Sequence, residues 1–254
     1  HNFKQMKLLP LIIQFKKWRI EIRKQNKIKN KSLVKKYLYG KNGIEIGGSG
    51  KSYGLEKQKG SYANVDIIDA ETRAKNKGWK NSQLVNILAS GDDLPFKNEV
   101  FDYVFSSHVI EHFFDPIKAI EEWFRVIKKG GFICMVVPHK DKTFDRNREI
   151  TGVNELLQRY KKMISYTDYA HRNEEFKMKF ETEKNKDHHI LIKNDELPEG
   201  WIRFDVCSFE HHWSVWNTEA FIELCNKMNW NILEWQDVDD QKEHEFTIVL
   251  RKYH

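Results

Sequence analysis

Between Val100 and Pro138 the apolar positions change their period twice. Val100–Ser107 is a short apolar run, and Phe132–Val137 is another. Between them Ile117, Ile120, Trp123/Phe124 and Ile127 recur at the spacing of one helix face. The segment therefore reads as buried strand, amphipathic helix and second buried strand. A crossover helix between two such strands demands a parallel sheet. Asp115 is placed to cap the helix and Pro116 suits its first turn. Lys128 and Lys129 suit its negative end, and Gly130 supplies a left-handed stop.

The same reading extends in both directions. Upstream, Ser32–Tyr39 is a short helix, Asn42–Gly47 a first strand and Tyr62–Ile68 a second. Asp69–Lys77 is a further helix and Gln83–Leu88 a third strand. Downstream, the helix TEAFIELCNKM is capped by Asn217 or Thr218, and WNILEWQ and EFTIVLRK form a closing hairpin. From His139 to His212 the pattern turns charged, aromatic and weakly periodic, with KNKDHH and KNDELPEG as loops. So long an irregular stretch suits a lid or binding loop. The expected divisions are a basic arm (1–41), a core (42–138), a substrate lid (139–212) and a closing helix and hairpin (213–254).

The first strand breaks into Glu45-Ile-Gly-Gly-Ser-Gly50, and Asp66 ends the second strand. Glycines there let the backbone approach a ligand, and a following helix start offers free N–H groups. A carboxylate about twenty residues on is placed for ribose hydroxyls. A glycine turn with a helix-capping Asp is the plainer alternative.

Two spacings mislead. Gly50-Lys51-Ser52 ends like a P-loop, but Glu45 stands where that motif needs glycine. His108-Val-Ile-Glu111-His112 matches a zinc-peptidase spacing. There His108 directly follows a strand, and the helix starts only at Asp115-Pro116, so no metal is expected.

Composition narrows the class. The chain has 254 residues, of which 40% are hydrophobic, enough for a core. Cys134, Cys207 and Cys225 have no paired spacing, which argues against disulfides and zinc and suits a reducing cytoplasm. No apolar run is long enough to span a bilayer, and no signal-peptide pattern is present. Charge is uneven. Residues 1–41 hold 13 Lys and Arg against one acid, while the remainder holds 30 basic and 36 acidic residues. Leu11, Phe15, Trp18 and Ile22 lie at helical spacing among those cations. That suits either a helix packed on the domain or one touching an anionic membrane through residues 1–31. Nucleic acid is the weaker partner, because these aromatics form one apolar face.

EIGGSG, NVD, LPF, FDYVFSSHVIEH and RVIKKGGF stand in the order and spacing of a known family. Over Gly43–Pro138 the chain resembles the class I S-adenosylmethionine-dependent methyltransferases of the type 11 group. HKDKTFDRNR and HHWSVW further resemble bacterial enzymes of capsule and O-antigen clusters. The resemblance implies an α/β fold, a Rossmann-like doubly wound sheet of about seven strands. That sheet would be mostly parallel with a C-terminal antiparallel hairpin, a lid after strand five and a basic N-terminal helix.

It also implies roles. Glu45, Gly47, Gly48 and Gly50 would shape the turn around the methionine part of S-adenosyl-L-methionine, with Asp66 and Ile67 at the ribose. Gly91 and Asp92 would flank the adenine, and Ser107 and His108 the sulfonium. Ser49 and Ala89-Ser90 depart from the family pattern. The implied product is S-adenosyl-L-homocysteine.

A hydroxyl acceptor benefits from a base of near-neutral pKa, for which His108, His139 and His212 are the candidates. His211 would join Asp145, Arg146 and Arg148 at the substrate, the arginines suiting a phosphate or carboxylate. The expected reaction is O-methylation of a small phosphorylated or nucleotide-linked precursor of a surface polysaccharide, a phosphoramidate group included. The alternatives are a lipid-linked glycan acceptor at the membrane and a binding protein without turnover.

Overall fold

The computed structural model describes residues 33–48, 53–67, 84–163, 212–237 and 244–253. Residues 1–32 of the basic arm, the Asp69–Lys77 helix, Gly50, His211 and the loops KNKDHH and KNDELPEG lie outside them.

Seven strands form one sheet: β1 (Gly43–Ile46), β2 (Tyr62–Asp66), β3 (Ile87–Leu88), β4 (Phe101–Ser107), β5 (Ile127–Pro138), β6 (Ile232–Gln236) and β7 (Glu245–Arg251). Their order is β3-β2-β1-β4-β5-β7-β6. The first five are parallel, and β7 runs antiparallel between β5 and β6. The fold is thus the Rossmann-like, mostly parallel sheet with an antiparallel C-terminal pair that the sequence pattern and the resemblance led us to expect.

Strand alternation divides the core into two layers. Val104, Ile133, Met135, Val137, Ile248 and Leu250 face one side, where α2 (Pro116–Val126) and α4 (Thr218–Lys227) pack. Tyr103, Phe105, Cys134, Val136 and Val249 face the other, where α1 (Leu33–Leu38) covers them. Both faces are buried, as a parallel sheet requires. Cys134 is a small buried core residue, as expected.

Helix α2 begins as its sequence dictates. The Asp115 carboxylate accepts from the Lys118 N–H at 3.0 Å, and Pro116 is its first residue. Ile117, Ile120, Trp123 and Val126 are fully buried beneath it. Its end differs from expectation. The helix stops at Val126, and Ile127 is already extended because it pairs with Phe101. Gly130 does adopt a positive φ of 77°, but inside β5, next to the register shift between β4 and β5. Lys128 holds Asp102 at 2.8 Å rather than a helix end.

The C-terminal helix is capped by Asn217, whose side chain accepts from the Ala220 N–H at 2.9 Å. After β5 the chain is more regular than its charge pattern suggested. It makes two 3-10 turns (Lys140–Lys142, Phe144–Asn147) and then α3 (Val153–Lys162). In that helix Val153, Leu156, Leu157 and Tyr160 stand at helical spacing; Leu156 and Arg159 are buried, and Val153 and Leu157 pack against the core.

Candidate functional site

Strand order reverses between β1 and β4, and ligands of open α/β sheets lie outside the carboxyl ends at such a point. The ends of β1, β2, β4 and β5 deliver Gly47, Ile67, His108 and His139 to this edge.

Gly47 has φ +67°, and a Cβ there would lie 2.5 Å from Val109 Cγ2. Only glycine fits that position without strain. Its N–H donates to the Val65 carbonyl at 2.8 Å. Next to it, the Gly48 N–H donates to Asn64 Oδ1 at 3.0 Å, and Asn64 Nδ2 donates to the carbonyls of Gly48 (3.3 Å) and Leu84 (3.2 Å). Asn64 is fully buried and fixes the turn from β2. Sequence reasoning gave it no role, although an Asn within the apolar strand YANVD was a signal, since a buried amide needs partners. Glu45 is buried and accepts from the Tyr62 hydroxyl.

Asp66 is buried at the end of β2, and its backbone carbonyl accepts from the Ala89 N–H at 2.9 Å. Ile67 follows it, half exposed. Gly91 packs so closely that a Cβ would lie 2.6 Å from Ile46 Cγ2 and 2.8 Å from Phe113 Cζ. Its carbonyl accepts from the Trp123 indole at 2.8 Å. Asp92 accepts from Lys118 at 2.9 Å and from the Ser90 hydroxyl. Burial raises its carboxyl pKa, but those bonds outweigh burial and leave it below the usual range.

Ser107 closes β4, and the chain then bends through His108, whose φ of +55° is rare for a side-chain-bearing residue. Such positions are held by their surroundings and concentrate at functional sites. The bend is fixed by the His108 N–H, which donates to the Val136 carbonyl at 3.0 Å. His108 Nε2 is hydrogen-bonded to Glu245, a buried carboxylate at the start of β7. Glu245 is a second residue sequence reasoning missed.

A 3-10 turn (Ile110–His112) follows, and the returning chain is laid on it. The Glu111 carbonyl accepts from the N–H groups of Trp213 (2.8 Å) and Ser214 (3.4 Å). The buried Arg159 guanidinium donates to the carbonyls of Phe114 (3.0 Å) and Trp213 (3.4 Å) and to Ser214 Oγ (3.3 Å). These bonds set His212 beside His112, with ring centroids 4.9 Å apart. They also set its Nδ1 2.6 Å from Asp145 Oδ2.

The candidate bases thus separate. His108 and His212 face one cluster around Glu111. His139 is engaged elsewhere: its Nδ1 accepts from the Asp141 N–H at 3.2 Å, and its Nε2 lies 3.8 Å from Asp237. Burial, with Lys142 adding to it, lowers the His139 pKa, so this ring is neutral near pH 7. Of the expected substrate residues, Asp145 is committed to His212 and to Arg148 at 2.9 Å, while Arg146 is exposed.

Residues 45–135 match the family described as Methyltransferase domain. An uncharacterized protein of Methanocaldococcus jannaschii is 36% identical over 110 residues, covering 42% of this chain and 50% of that one. A chloroplastic 2-methyl-6-phytyl-1,4-hydroquinone methyltransferase of Oryza sativa is 31% identical over 107 residues, covering 40% and 32%. A ubiquinone/menaquinone biosynthesis C-methyltransferase of Brucella anthropi is 31% identical over 115 residues, covering 39% and 43%. The chain therefore spans half or less of the length of these relatives. Among solved structures, an S-adenosylmethionine-dependent methyltransferase of Thermotoga maritima, a possible histamine N-methyltransferase, aligns with 16% identity. Its TM-score is 0.48, with 96% of this chain and 97% of that one covered.

Proposed function

We propose that this chain is an S-adenosylmethionine-dependent methyltransferase. The observation that carries the reading is the conjunction at the β1/β4 crevice of Gly47, the Asn64-held Gly48 and Asp66 within a segment that matches a methyltransferase domain. In this reading the turn after β1 receives the methionine moiety, and Asp66 with Ile67 receives the ribose. Gly91 and Asp92 border the adenine, and Ser107 and His108 border the sulfonium.

The acceptor in this reading is an oxygen of a small phosphorylated or nucleotide-linked precursor of a bacterial surface polysaccharide. Lys140, Lys142, Arg146 and Arg148 leave the end of β5 within nine residues, and guanidinium forks suit phosphate oxygens. The chemistry balances simply. The S–CH3 bond breaks with its electron pair remaining on sulfur, the O–CH3 bond forms, and the acceptor's proton leaves. His108 suits that proton: in the neutral tautomer that donates from Nε2 to Glu245, Nδ1 is the ring atom that accepts it. A positioned base contributes about 10²–10⁴-fold, and alignment of the two substrates about 7–11 kcal/mol.

The test is incubation of the full chain with S-adenosylmethionine and sugar phosphates, nucleotide sugars, lipid-linked glycans and hydroquinones. Formation of S-adenosylhomocysteine with a product heavier by one CH2 on a phosphorylated or nucleotide-linked acceptor supports the full reading. Product only on hydroquinone, the acceptor named for the Oryza relative, overturns the acceptor class. Product only on lipid-linked glycan moves the reaction to the membrane, where loss of activity without residues 1–31 would follow. Cofactor binding with no product on any acceptor overturns turnover.

A further inference from the structure

The Glu111 carboxylate is 1% exposed, and neither of its oxygens has a hydrogen-bond partner among the described residues. Around its Oε1 stand three imidazole nitrogens at nearly one distance: His108 Nδ1 at 3.7 Å, His112 Nε2 at 3.8 Å and His212 Nε2 at 3.9 Å. These are too long for hydrogen bonds. A buried, unbonded carboxylate is unfavourable unless a positive charge stands close to it.

We propose that Glu111, His112 and His212 form a binding site for a divalent transition metal of the zinc class. Ligand atoms from these three residues lie within 4.8 Å of one another. Zinc binds carboxylate oxygen and imidazole nitrogen at about 2.0–2.2 Å, which puts tetrahedral ligand pairs about 3.4 Å apart. The two carboxylate–imidazole pairs, at 3.8 and 3.9 Å, need to close by about half an ångström to reach that, and all three ligand atoms already stand within 4.8 Å. One carboxylate with two imidazoles is also a donor set that leaves a coordination position open for a further oxygen ligand.

The outer contacts agree with this assignment. A ligating imidazole is usually oriented by a carboxylate on its other ring nitrogen. His212 has that arrangement, with Nδ1 on Asp145 and Nε2 toward Glu111. Asp145 is itself buried and held by Arg148. His108 repeats the pattern with Nε2 on Glu245 and Nδ1 toward Glu111. His108 is the base of the proposed reaction, so it borders the metal as proton acceptor rather than filling the open position. The H-x-x-E-H spacing thus contributes Glu111 and His112 from a 3-10 turn, while the remaining ligand arrives from residue 212.

The role of the metal rests on the proposed methyl transfer: it would hold the acceptor oxygen at the open position and favour its deprotonated form. Binding of the metal does not depend on that role. His108 and His112 are partly exposed, which leaves a path from solvent to Glu111.

The test uses the full chain, treated with chelator and titrated with Co2+ followed by displacement with Zn2+. The expected result is visible d–d absorption saturating at one cobalt per chain, removed by zinc. Glu111→Gln and His212→Ala should abolish the absorption. Asp145→Asn, a positioning change, should weaken cobalt affinity about 10–100-fold. His139→Gln should leave it unchanged. Metal-free Glu111→Gln should melt at or above the unsubstituted protein, since it removes an unbonded buried charge. Absence of cobalt absorption in a folded protein that binds S-adenosylhomocysteine would overturn the metal site alone. Equal cobalt affinity in folded Asp145→Asn and Glu111→Gln would overturn this assignment of ligands. Cobalt binding without S-adenosylhomocysteine binding would instead overturn the methyltransferase reading and leave the site standing.

Discussion

His212 Nδ1 and Asp145 Oδ2 lie 2.6 Å apart across 67 residues of chain. This contact joins the return into α4 to the exit from β5. Burial alone would raise the Asp145 pKa, but its bond to His212 outweighs burial and holds the carboxyl below its usual range. The neighbouring bonds of Arg159 and of the Glu111 carbonyl fasten the same return segment to the end of β4. The candidate site is therefore assembled from chain positions far apart in sequence.

Replacing Gly47 by Ala should weaken S-adenosylhomocysteine binding about tenfold or more. The new Cβ meets Val109 at 2.5 Å, and a non-glycine residue at φ +67° adds about 1–3 kcal/mol of strain. Calorimetric titration checks this, with circular dichroism to show that the sheet persists.

Asn64→Ala should lower stability by about 1–3 kcal/mol, because it removes the buried amide that holds Gly48 and the Leu84 carbonyl. Urea unfolding measures the loss. The turn it supports should bind S-adenosylhomocysteine more weakly in the same variant.

Arg159→Ala should destabilise by about 1.5–3 kcal/mol, the scale of hydrogen bonds to a charged group. It should also release the segment around Trp213. Hydrogen exchange at the Trp213 and Ser214 amides, which donate to the Glu111 carbonyl, should accelerate relative to the β4 amides.

Glu122 gives a pH dependence. Burial raises its pKa, but bonds from Arg125 and the Leu94 N–H outweigh burial and leave it low. A folded-state pKa below the unfolded one means stability present at neutral pH and lost as pH falls through the folded value. Melting temperatures between about pH 5 and pH 3 should therefore fall less steeply in Glu122→Gln than in the unsubstituted protein.

How much of this was legible in the chain depends on the range of the interaction. The β4–α2–β5 unit could be read because Asp115, Pro116 and the Ile117/Ile120/Trp123 face are local signals. The end of α2 could not, since Ile127 is taken into β5 by its partner Phe101. Gly47 and Asp66 stood out because they close consecutive strands at a fixed spacing. The cluster around Glu111 did not, because His212 is brought to it by Arg159 and by backbone bonds that no local pattern announces. The spacing His108…Glu111-His112 was visible but pointed to a helical zinc site, whereas the turn after β4 is a single 3-10 turn.

In the proposed function the crevice after β1, β2 and β4 holds S-adenosylmethionine. Calorimetric titration of the full chain with S-adenosylhomocysteine, beside Asp66→Ala and Gly47→Val, tests it most directly. The expected result is saturable binding at one site, weakened by Asp66→Ala and abolished by Gly47→Val, with both variants folded. A folded protein that takes up neither S-adenosylhomocysteine nor S-adenosylmethionine would contradict it.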